Sequence, residues 1–366
     1  MTRNLRVLHI LETPQFAGTE AHVLTLMQSL DPATVQGALL CRQDSPLHQR
    51  ALALGFPCHT PATFAQFVRL VRQEAFSVLH AHDGAAKAKA VLAASRAGIV
   101  ATQHFVQPAY THRVGWKGAL SKAVHRCLNA SVSMTIAVSD AVRDAALERA
   151  EMPPARITVI PNGILPPVLA APADVYARLQ ALGIPLNAPL VCTVSRLSPE
   201  KGLVYLLQAI PQVLEVLPEA RFLLLGDGAE RQALQAEAVR LQVQEAVIFA
   251  GFRNDVSDLA SQCHLFVLPS LAEPFGLSLV EAMALARPVV AMRAGGPLEI
   301  VLDGETGLLV APADSSALAE AMLTLLTDPA RAARMGEAGL RRMQTRFTAD
   351  TMARRTEAVY AQCARP

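Results

Sequence analysis

Short apolar runs alternate with helical patterns along almost the whole chain, and this alternation limits the possible folds more than any other feature. Helical patterns such as Val204–Leu217 and Ala317–Leu326 lie between the runs. Strands are predicted at Val7–Leu11, Gln36–Cys41, Val78–His80, Val100–Thr102, Thr135–Val138, Ile157–Ile160, Leu190–Val194, Arg221–Leu225, Val247–Phe249, Leu265–Leu268, Val289–Ala291 and Gly307–Val310. Such alternation is typical of parallel sheets covered by helices on both faces. The sequence therefore predicts an α/β fold.

The number of strands predicts more than one domain. A chain of 366 residues has room for two or three domains, and about twelve strands are many for one open sheet. Residues 161–189 are rich in proline and alanine, and we interpret them as a linker. We predict two doubly wound, Rossmann-like domains, residues 1–165 and 166–347, that face each other across a cleft.

The composition is that of a globular protein with large cores, since 52% of the residues are hydrophobic and 17% are charged. Charge is uneven: residues 1–165 hold 16 Lys and Arg against 10 Asp and Glu, and the remainder holds 17 against 21. The basic half suits an anionic surface or an acidic acceptor, or is an ordinary solvated surface. No nucleic-acid partner is expected.

Cysteine usage and hydropathy indicate where the protein works. The six cysteines show no zinc or redox spacing and are typical of free thiols in a reducing cytosol. The N-terminal apolar stretch is too short for a signal peptide, and no window reaches the ~18 apolar residues that a membrane span needs. We therefore expect a cytoplasmic protein, soluble or peripheral.

Two glutamates flank a predicted helix start after the strand Leu265–Leu268. Glu273 stands in Glu273-Pro274-Phe275-Gly276, and Glu281 follows with seven residues between the two acids. A helix N-terminus offers free N–H groups to a phosphate, and a carboxylate can bind the hydroxyls of a sugar. The pattern predicts a nucleotide-sugar site. Alternatively, Glu281 only pairs with a nearby cation and Glu273 only caps its helix.

Two cations follow the strand Leu190–Val194. Arg196 and Lys201 would lie at the carboxyl end of a central strand, where they suit a diphosphate and would stabilise the charge that grows on a leaving phosphate. The alternative is a pair of solvent-exposed loop charges. The chain has no Asp-x-Asp pair, so we expect these cations to replace a divalent metal ion.

Together these motifs resemble the signature of the retaining glycosyltransferases of family 4 (glycosyl transferases group 1), which have the GT-B architecture. The resemblance implies transfer of a sugar from a nucleotide-diphosphate donor to a saccharide or lipid-linked acceptor, in cell-surface polysaccharide or glycolipid assembly. It implies that Glu273 contacts the donor sugar, Glu281 the ribose, and the Phe275-Gly276-Leu277 backbone the sugar and diphosphate. No cofactor or metal is expected, and a UDP-sugar is favoured over GDP-mannose.

Two positions in the first half match the family less closely. In Phe16-Ala17-Gly18-Thr19-Glu20 the family usually has two glycines, of which Gly18 is kept, and we place Gly18 by the donor phosphate or the acceptor. The resemblance also puts a histidine near the donor sugar's 6-hydroxyl, and His104, at a strand end, is our choice. His82 would line the same cleft or orient its neighbours. A metal site of His80, His82 and Asp83 is a poor alternative.

The resemblance also assigns roles to the domains. The C-terminal domain would hold the nucleotide and the N-terminal domain the acceptor, and closure would bring His104 and Gly18 against the sugar held by Glu273. The last helix, predicted at Thr348–Gln362, is expected to cross back so that residues 348–366 join the N-terminal domain. The alternative is that this helix caps its own domain.

Some alternatives stay open from the sequence. Residues 112–128 combine a basic face with an apolar one, which fits either contact with the inner face of the membrane or an ordinary packed helix. A nucleotide-sugar 2-epimerase on the same architecture is a second function. A non-catalytic sugar-nucleotide-binding partner protein is a third.

Overall fold

The computed structural model describes residues 4–14, 17–93, 96–105, 126–149 and 151–364. The chain forms two compact units. Residues Met1–Leu165 and Thr348–Pro366 make the N-terminal unit, and residues Pro166–Phe347 make the C-terminal unit. Each unit has its own parallel sheet with helices around it, so the predicted α/β architecture is confirmed.

The N-terminal unit has a sheet of seven strands, in the order β3-β2-β1-β4-β5-β6-β7, and every pair of neighbours is parallel. The strands are β1 Leu5–Ile10, β2 Val35–Leu40, β3 Cys58–His59, β4 Val78–Ala81, β5 Gly98–Gln103, β6 Met134–Ala137 and β7 Ile157–Val159. Its helices within the described residues are Gly18–Ser29, Pro46–Ala53, Phe64–Gln73, Gly84–Ala93, residues 126–131, Asp140–Glu148 and Ala349–Cys363, with a 3-10 turn at Pro154–Arg156.

The sequence sets the helix boundaries in this unit through polar caps. Ser45, Thr63 and Ser139 each accept a hydrogen bond from the backbone N–H three residues ahead. Such caps satisfy N–H groups that have no partner inside the helix. The central strands are buried on both faces, as β4 shows at all four of its residues, which explains their continuous apolar sequences.

The last helix, Ala349–Cys363, packs on the sheet of the N-terminal unit. Its buried residues share one apolar cluster with Val7, Val78 and Val100 of β1, β4 and β5. Tyr360 of this helix is fully buried, and its hydroxyl lies 2.6 Å from His80 Nδ1. The helix therefore completes the core of the N-terminal unit rather than capping the unit that precedes it in the chain.

The C-terminal unit has a six-stranded parallel sheet in the order β10-β9-β8-β11-β12-β13. The strands are β8 Leu190–Val194, β9 Arg221–Leu225, β10 Val247–Gly251, β11 Leu265–Leu268, β12 Val289–Met292 and β13 Leu308–Val310. Its helices are Pro172–Ala181, Leu203–Val216, Arg231–Arg240, Val256–Ala260, Leu277–Ala284, Pro297–Ile300, Ser315–Leu326 and Pro329–Arg346, with a 3-10 turn at Pro199–Lys201.

Besides shifts of one or two residues in the bounds of several strands, the structure differs from the sequence prediction in two places. The two-residue strand Cys58–His59 was not predicted, because so short a run carries no periodic signal. The predicted linker contains the helix Pro172–Ala181, whose Val175 and Leu179 are buried. Arg178 of this helix donates to Asp258 at 2.8 Å, so the segment is a packed part of the C-terminal unit and not a free connection.

Candidate active site

The order of the strands brings the predicted donor-site loops together in the C-terminal unit. From β8 the chain runs outward to β9 and β10, and then returns to β11 on the other side of β8. In doubly wound sheets this reversal opens a crevice at the carboxyl ends of the two central strands, where ligands bind. The loop after β8 carries Arg196 and Lys201, and the loop after β11 carries Glu273.

These two loops contact each other directly. The backbone N–H of Leu271 donates to the carbonyl oxygen of Glu200 at 2.9 Å. Gly202, at a φ of 62°, lies so close to the second loop that a Cβ atom there would collide with the carbonyl oxygen of Pro269. Only glycine adopts this conformation without strain and leaves room for the neighbouring backbone. The close approach of Gly202 to the second loop therefore fixes the backbone position of the neighbouring Lys201.

Lys201 and Glu273 form an ion pair at this crevice, with Lys201 Nζ 2.7 Å from Glu273 Oε2. Their side chains are 18% and 9% exposed, so both charges are largely shielded from water. The hydroxyl of Ser270 donates to the same carboxylate oxygen at 3.1 Å. The arrangement presents a fixed cation beside a fixed carboxylate, and these two groups can bind a phosphate and a sugar hydroxyl respectively.

Arg196 does not join this pair. Its side chain is 63% exposed and reaches Glu200 at 3.2 Å, which in turn accepts a hydrogen bond from the Ser198 hydroxyl at 2.6 Å. A surface ion pair of this kind contributes about 0–1 kcal/mol, so the guanidinium can exchange it for another anion at little cost.

The helix Leu277–Ala284 begins at the same crevice. Its N-cap residue is Gly276, in a left-handed conformation with a φ of 107°, and no side chain caps this end. The ring of Phe275 is buried and packs against Phe347 at 6.0 Å between ring centroids. Because the Phe275 ring is buried, the Phe275-Gly276-Leu277 segment can bind a ligand through its backbone N–H groups.

Glu281 lies further along the same helix and lines a small depression with Val194, Ser257 and Ser278. Its side chain is solvent-accessible, yet protein atoms surround the carboxyl group and displace much of its water. This loss of water raises the pKa of Glu281 above its ordinary value. Glu281 lies about one turn beyond the start of this helix, and its carboxylate can accept a hydrogen bond from a ligand hydroxyl.

His104 lies in a cluster of histidines in the N-terminal unit. It follows β5, and its Nε2 lies 3.4 Å from His82 Nδ1. The centroids of the His104 and His22 rings are 4.7 Å apart. Burial, and then the neighbouring His22, lower the pKa of His104 well below its ordinary range, so its ring is neutral.

The Gly18 motif supplies the start of the helix Gly18–Ser29. Glu20 accepts a hydrogen bond from the Ala17 N–H at 2.8 Å and another from Thr13, so this acid holds the helix start in place. Gly18 itself is exposed, and Phe16 lies outside the described residues. The same helix carries His22 into the histidine cluster.

Sequence reasoning missed three of the residues gathered at these places. Ser270 donates a hydrogen bond to Glu273. Its place at the carboxyl end of β11, directly after Pro269, was the sequence signal that could have identified it. His9 lies inside β1 and His22 inside the first helix, where a histidine in an apolar run was the signal. Asp83, considered as a metal ligand, instead accepts a hydrogen bond from the Ala86 N–H at 2.7 Å.

The predicted membrane-contact segment falls largely outside the described residues, which include only residues 126–128 of the range 112–128. None of the helices in the described part of the chain combines the length and apolar character needed to cross a bilayer. Contact of residues 112–128 with a membrane stays a prediction.

Comparison with known proteins identifies the class. The model of Glycosyltransferase Family 4 matches residues 16–166, and that of Glycosyl transferases group 1 matches residues 177–342. The alpha-maltose-1-phosphate synthase of Mycolicibacterium smegmatis is 31% identical over 309 residues, covering 78% of this chain and 79% of that protein. The GDP-mannose-dependent alpha-(1-6)-phosphatidylinositol monomannoside mannosyltransferase of the same species is 32% identical over 271 residues, covering 70% and 69%.

A solved structure extends the likeness to the whole fold. Anabaena Alr3699/HepE in complex with UDP and glucose superposes with a TM-score of 0.86 at 26% identity, covering 98% of this chain and 100% of that one. This fold and these relatives define a glycosyltransferase of GT-B architecture. The chain belongs to glycosyltransferase family 4, the glycosyl transferases group 1.

Proposed function

We propose that this protein is a retaining, metal-independent glycosyltransferase that moves a sugar from a nucleotide-diphosphate donor to a saccharide or lipid-linked acceptor. The shielded Lys201–Glu273 pair, next to the uncapped N-terminus of Leu277–Ala284, carries the proposal. Lys201 would bind the diphosphate, and Glu273 would accept hydrogen bonds from the donor sugar. Glu281 would bind the ribose.

We favour a UDP-sugar over GDP-mannose as the donor, and each choice has support from a relative. A UDP-sugar comes first, because the Anabaena structure contains UDP and glucose. GDP-mannose comes second, because the mycobacterial mannosyltransferase is named for that donor. Two residue contacts stay predictions: that of His104 with the donor sugar and that of Gly18 with the donor phosphate. A role in cell-surface polysaccharide or glycolipid assembly and a cytoplasmic location also stay predictions.

The proposed chemistry uses side-chain cations in place of a metal ion. Negative charge grows on the leaving phosphate during transfer, and Lys201 with Arg196 would stabilise it more in the transition state than in the bound donor. The acceptor hydroxyl would attack from the face that the nucleotide leaves, with a donor phosphate oxygen taking its proton, as the family resemblance implies.

The test begins with a thermal-shift screen of nucleotide sugars, since a ligand that binds only the folded protein raises its melting temperature. The best donor is then incubated with saccharide and lipid-linked acceptors in the presence of EDTA, and the anomeric configuration of the product is read by NMR. A product that keeps the donor's configuration, formed at an unchanged rate in EDTA, supports the proposal. An inverted product, or a rate restored only by a divalent metal, contradicts it.

The same incubation separates the two alternative functions. A donor recovered with an inverted C2 centre and no sugar on any acceptor would indicate a 2-epimerase. Tight donor binding with neither transfer nor slow donor hydrolysis would indicate a non-catalytic binding protein.

Replacing Glu281 by glutamine is expected to weaken binding of the nucleoside diphosphate by about 10-fold or more, because a hydrogen bond to a charged group contributes about 1.5–3 kcal/mol. Isothermal titration with UDP measures this change. Glu320→Gln is a matched control, since Glu320 is an exposed glutamate on another helix of the same unit. Equal UDP affinity in the Glu281→Gln variant and the parent would remove Glu281 from the site.

A further inference from the structure

Five of the ten histidines meet in one buried place in the N-terminal unit. They come from β1, from the first helix, from β4 and from the residues that directly follow β4 and β5, which are neighbouring strands in the sheet. The five are His9, His22, His80, His82 and His104, and each is at most 8% exposed. A buried imidazole nitrogen without a hydrogen-bond partner destabilises the folded state, so any unpartnered nitrogen in this cluster needs a physical reason.

His80 is fully accounted for as a structural residue. Its Nδ1 lies 2.6 Å from the Tyr360 hydroxyl, and its Nε2 lies 2.7 Å from the Thr102 hydroxyl. Both ring nitrogens are thus engaged with groups of the surrounding core. Any ligand bound by His80 would have to break one of these two hydrogen bonds.

His22 is the opposite case. The residue is 4% exposed, and neither of its ring nitrogens has a hydrogen-bond partner among the described residues. Burial lowers the pKa of His22 to about 4, and the nearby Asn162 side chain opposes this shift without forming a hydrogen bond of standard geometry. The His22 ring, with two unpartnered nitrogens, lies within the cluster, 4.7 Å from the His104 ring and 5.7 Å from the His82 ring between centroids.

His82 and His104 are arranged as two ligands of one metal ion would be. Their facing nitrogens, His82 Nδ1 and His104 Nε2, are 3.4 Å apart. Two imidazole nitrogens on a tetrahedral zinc ion, each with a bond of about 2.0–2.1 Å, are separated by about 3.3 Å. The other nitrogen of His82 lies 3.1 Å from His9 Nδ1, so His9 can accept the second ring N–H and orient His82, as outer-shell partners of metal ligands do.

We propose that His22, His82 and His104 form a binding site for a transition-metal ion of the Zn²⁺ type. Candidate ligand atoms of the three residues all lie within 4.8 Å of one another. A set of three neutral imidazoles suits Zn²⁺, Co²⁺ or Ni²⁺, whereas Mg²⁺ requires oxygen ligands. The trio His9, His80 and His82 is equally compact, but it would break the hydrogen bonds of His80.

The proposed metal ligands differ from the proposed diphosphate ligands, although His104 is also predicted to contact the donor sugar. The three metal ligands belong to the N-terminal unit, whereas Lys201 and Glu273, which are proposed to meet the diphosphate and the sugar, belong to the C-terminal unit. An ion here would occupy His104 Nε2 and would compete with any contact of that nitrogen with the donor sugar. Metal binding is measured directly, without an activity assay, so the inference can be tested independently of whether transfer needs a metal.

The test titrates Co²⁺ into the full chain, prepared without a histidine tag and stripped with EDTA, and follows the visible absorption of Co²⁺ bound in a non-octahedral site. One equivalent of Co²⁺ per chain, displaced by Zn²⁺ and unaffected by a large excess of Mg²⁺, is the expected result. Absorption that shows only hexaaqua Co²⁺ up to millimolar metal would overturn the proposal, and no assay of transferase activity enters the measurement.

Single variants then identify the ligands. His22→Gln and His104→Asn are each expected to weaken Co²⁺ binding by more than about 100-fold, since even outer-shell changes weaken metal binding by about 10–100-fold. His48→Gln, outside the cluster, and His80→Gln are expected to keep the stoichiometry of one. Circular dichroism and melting temperature establish that each variant is folded. Loss of binding in His80→Gln together with retention in His22→Gln would overturn this choice of ligands.

Discussion

Replacing Lys201 by alanine is expected to lower the rate of sugar transfer by about 10²–10³-fold. A preorganised group that stabilises developing charge in a shielded site typically contributes about this much, because little solvent has to reorganise around it. Lys201 meets both conditions, since its side chain is 18% exposed and its ammonium group is held 2.7 Å from Glu273. The effect should appear in kcat/KM with the best donor identified by the thermal-shift screen.

The fold is expected to survive this change. Removing one partner of a buried ion pair leaves the other charge unpaired, at a cost of about 3–5 kcal/mol, which lies at or below the 5–15 kcal/mol that stabilises a typical domain. Ser270 continues to donate to the Glu273 carboxylate. A cooperative melting transition, at a temperature lower than that of the parent but well above the assay temperature, together with lost transfer, would place the defect in the chemistry.

Glu273→Ala is expected to lose transfer as well, and the double variant tests whether the two residues act as a unit. If both position the same donor, the double variant should be little worse than the worse single variant, because groups that act together are strongly non-additive. Arg240→Ala breaks a surface pair with Glu237 in the same unit and serves as the control, with activity unchanged. A Lys201→Ala enzyme that keeps more than about a tenth of the parent's activity would contradict the assignment.

Replacing Tyr360 by alanine is expected to destabilise the N-terminal unit by about 3–5 kcal/mol. The side chain is fully buried among residues of β1, β4 and β5, and emptying such a position costs both the lost burial and the cavity that remains. Hydrogen exchange read by mass spectrometry can measure this loss for each unit separately, as reduced protection of β1, β4 and β5 with unchanged protection of β8 and β11.

Two further variants separate the contribution of the Tyr360 hydroxyl from that of its ring and provide a control. Tyr360→Phe keeps the ring and removes the hydroxyl, which leaves His80 Nδ1 without its partner at 2.6 Å and should cost about 1–3 kcal/mol. Tyr176→Ala changes an exposed tyrosine of the C-terminal unit and should stay within about 0.5 kcal/mol of the parent. Unchanged protection of β1, β4 and β5 in Tyr360→Ala would show that the last helix is not part of this core.

The elements with strong local signals were predictable from the sequence. The strands Leu190–Val194, Arg221–Leu225 and Leu265–Leu268 have the predicted bounds, because each is a buried apolar run that ends at a turn. The approach of Lys201 to Glu273 across 72 positions followed from the rule that ligands gather at the carboxyl ends of central strands. The helix Pro172–Ala181 was hidden by the prolines around it, although Pro172 at its first turn is itself a helix-start signal.

The histidine cluster was beyond the sequence for a different reason. His80 and His82 were noticed because they are close in the chain, but His9 pairs with His80 only through the register of β1 against β4. His22 joins them because the first helix returns over the sheet, and Tyr360 joins from 280 positions away. Contacts of this kind depend on strand order and helix placement, which periodicity does not encode.

The shared core of the N-terminal unit has a consequence for how the protein is made. Domains generally fold in the order in which they leave the ribosome, first the N-terminal one. Here the nascent chain must emerge through the whole of Pro166–Phe347 before Ala349–Cys363 can cover Val7, Val78 and Val100. The C-terminal unit can therefore complete its fold first. Until the last helix is available, the N-terminal unit still exposes an apolar surface that a chaperone would recognise.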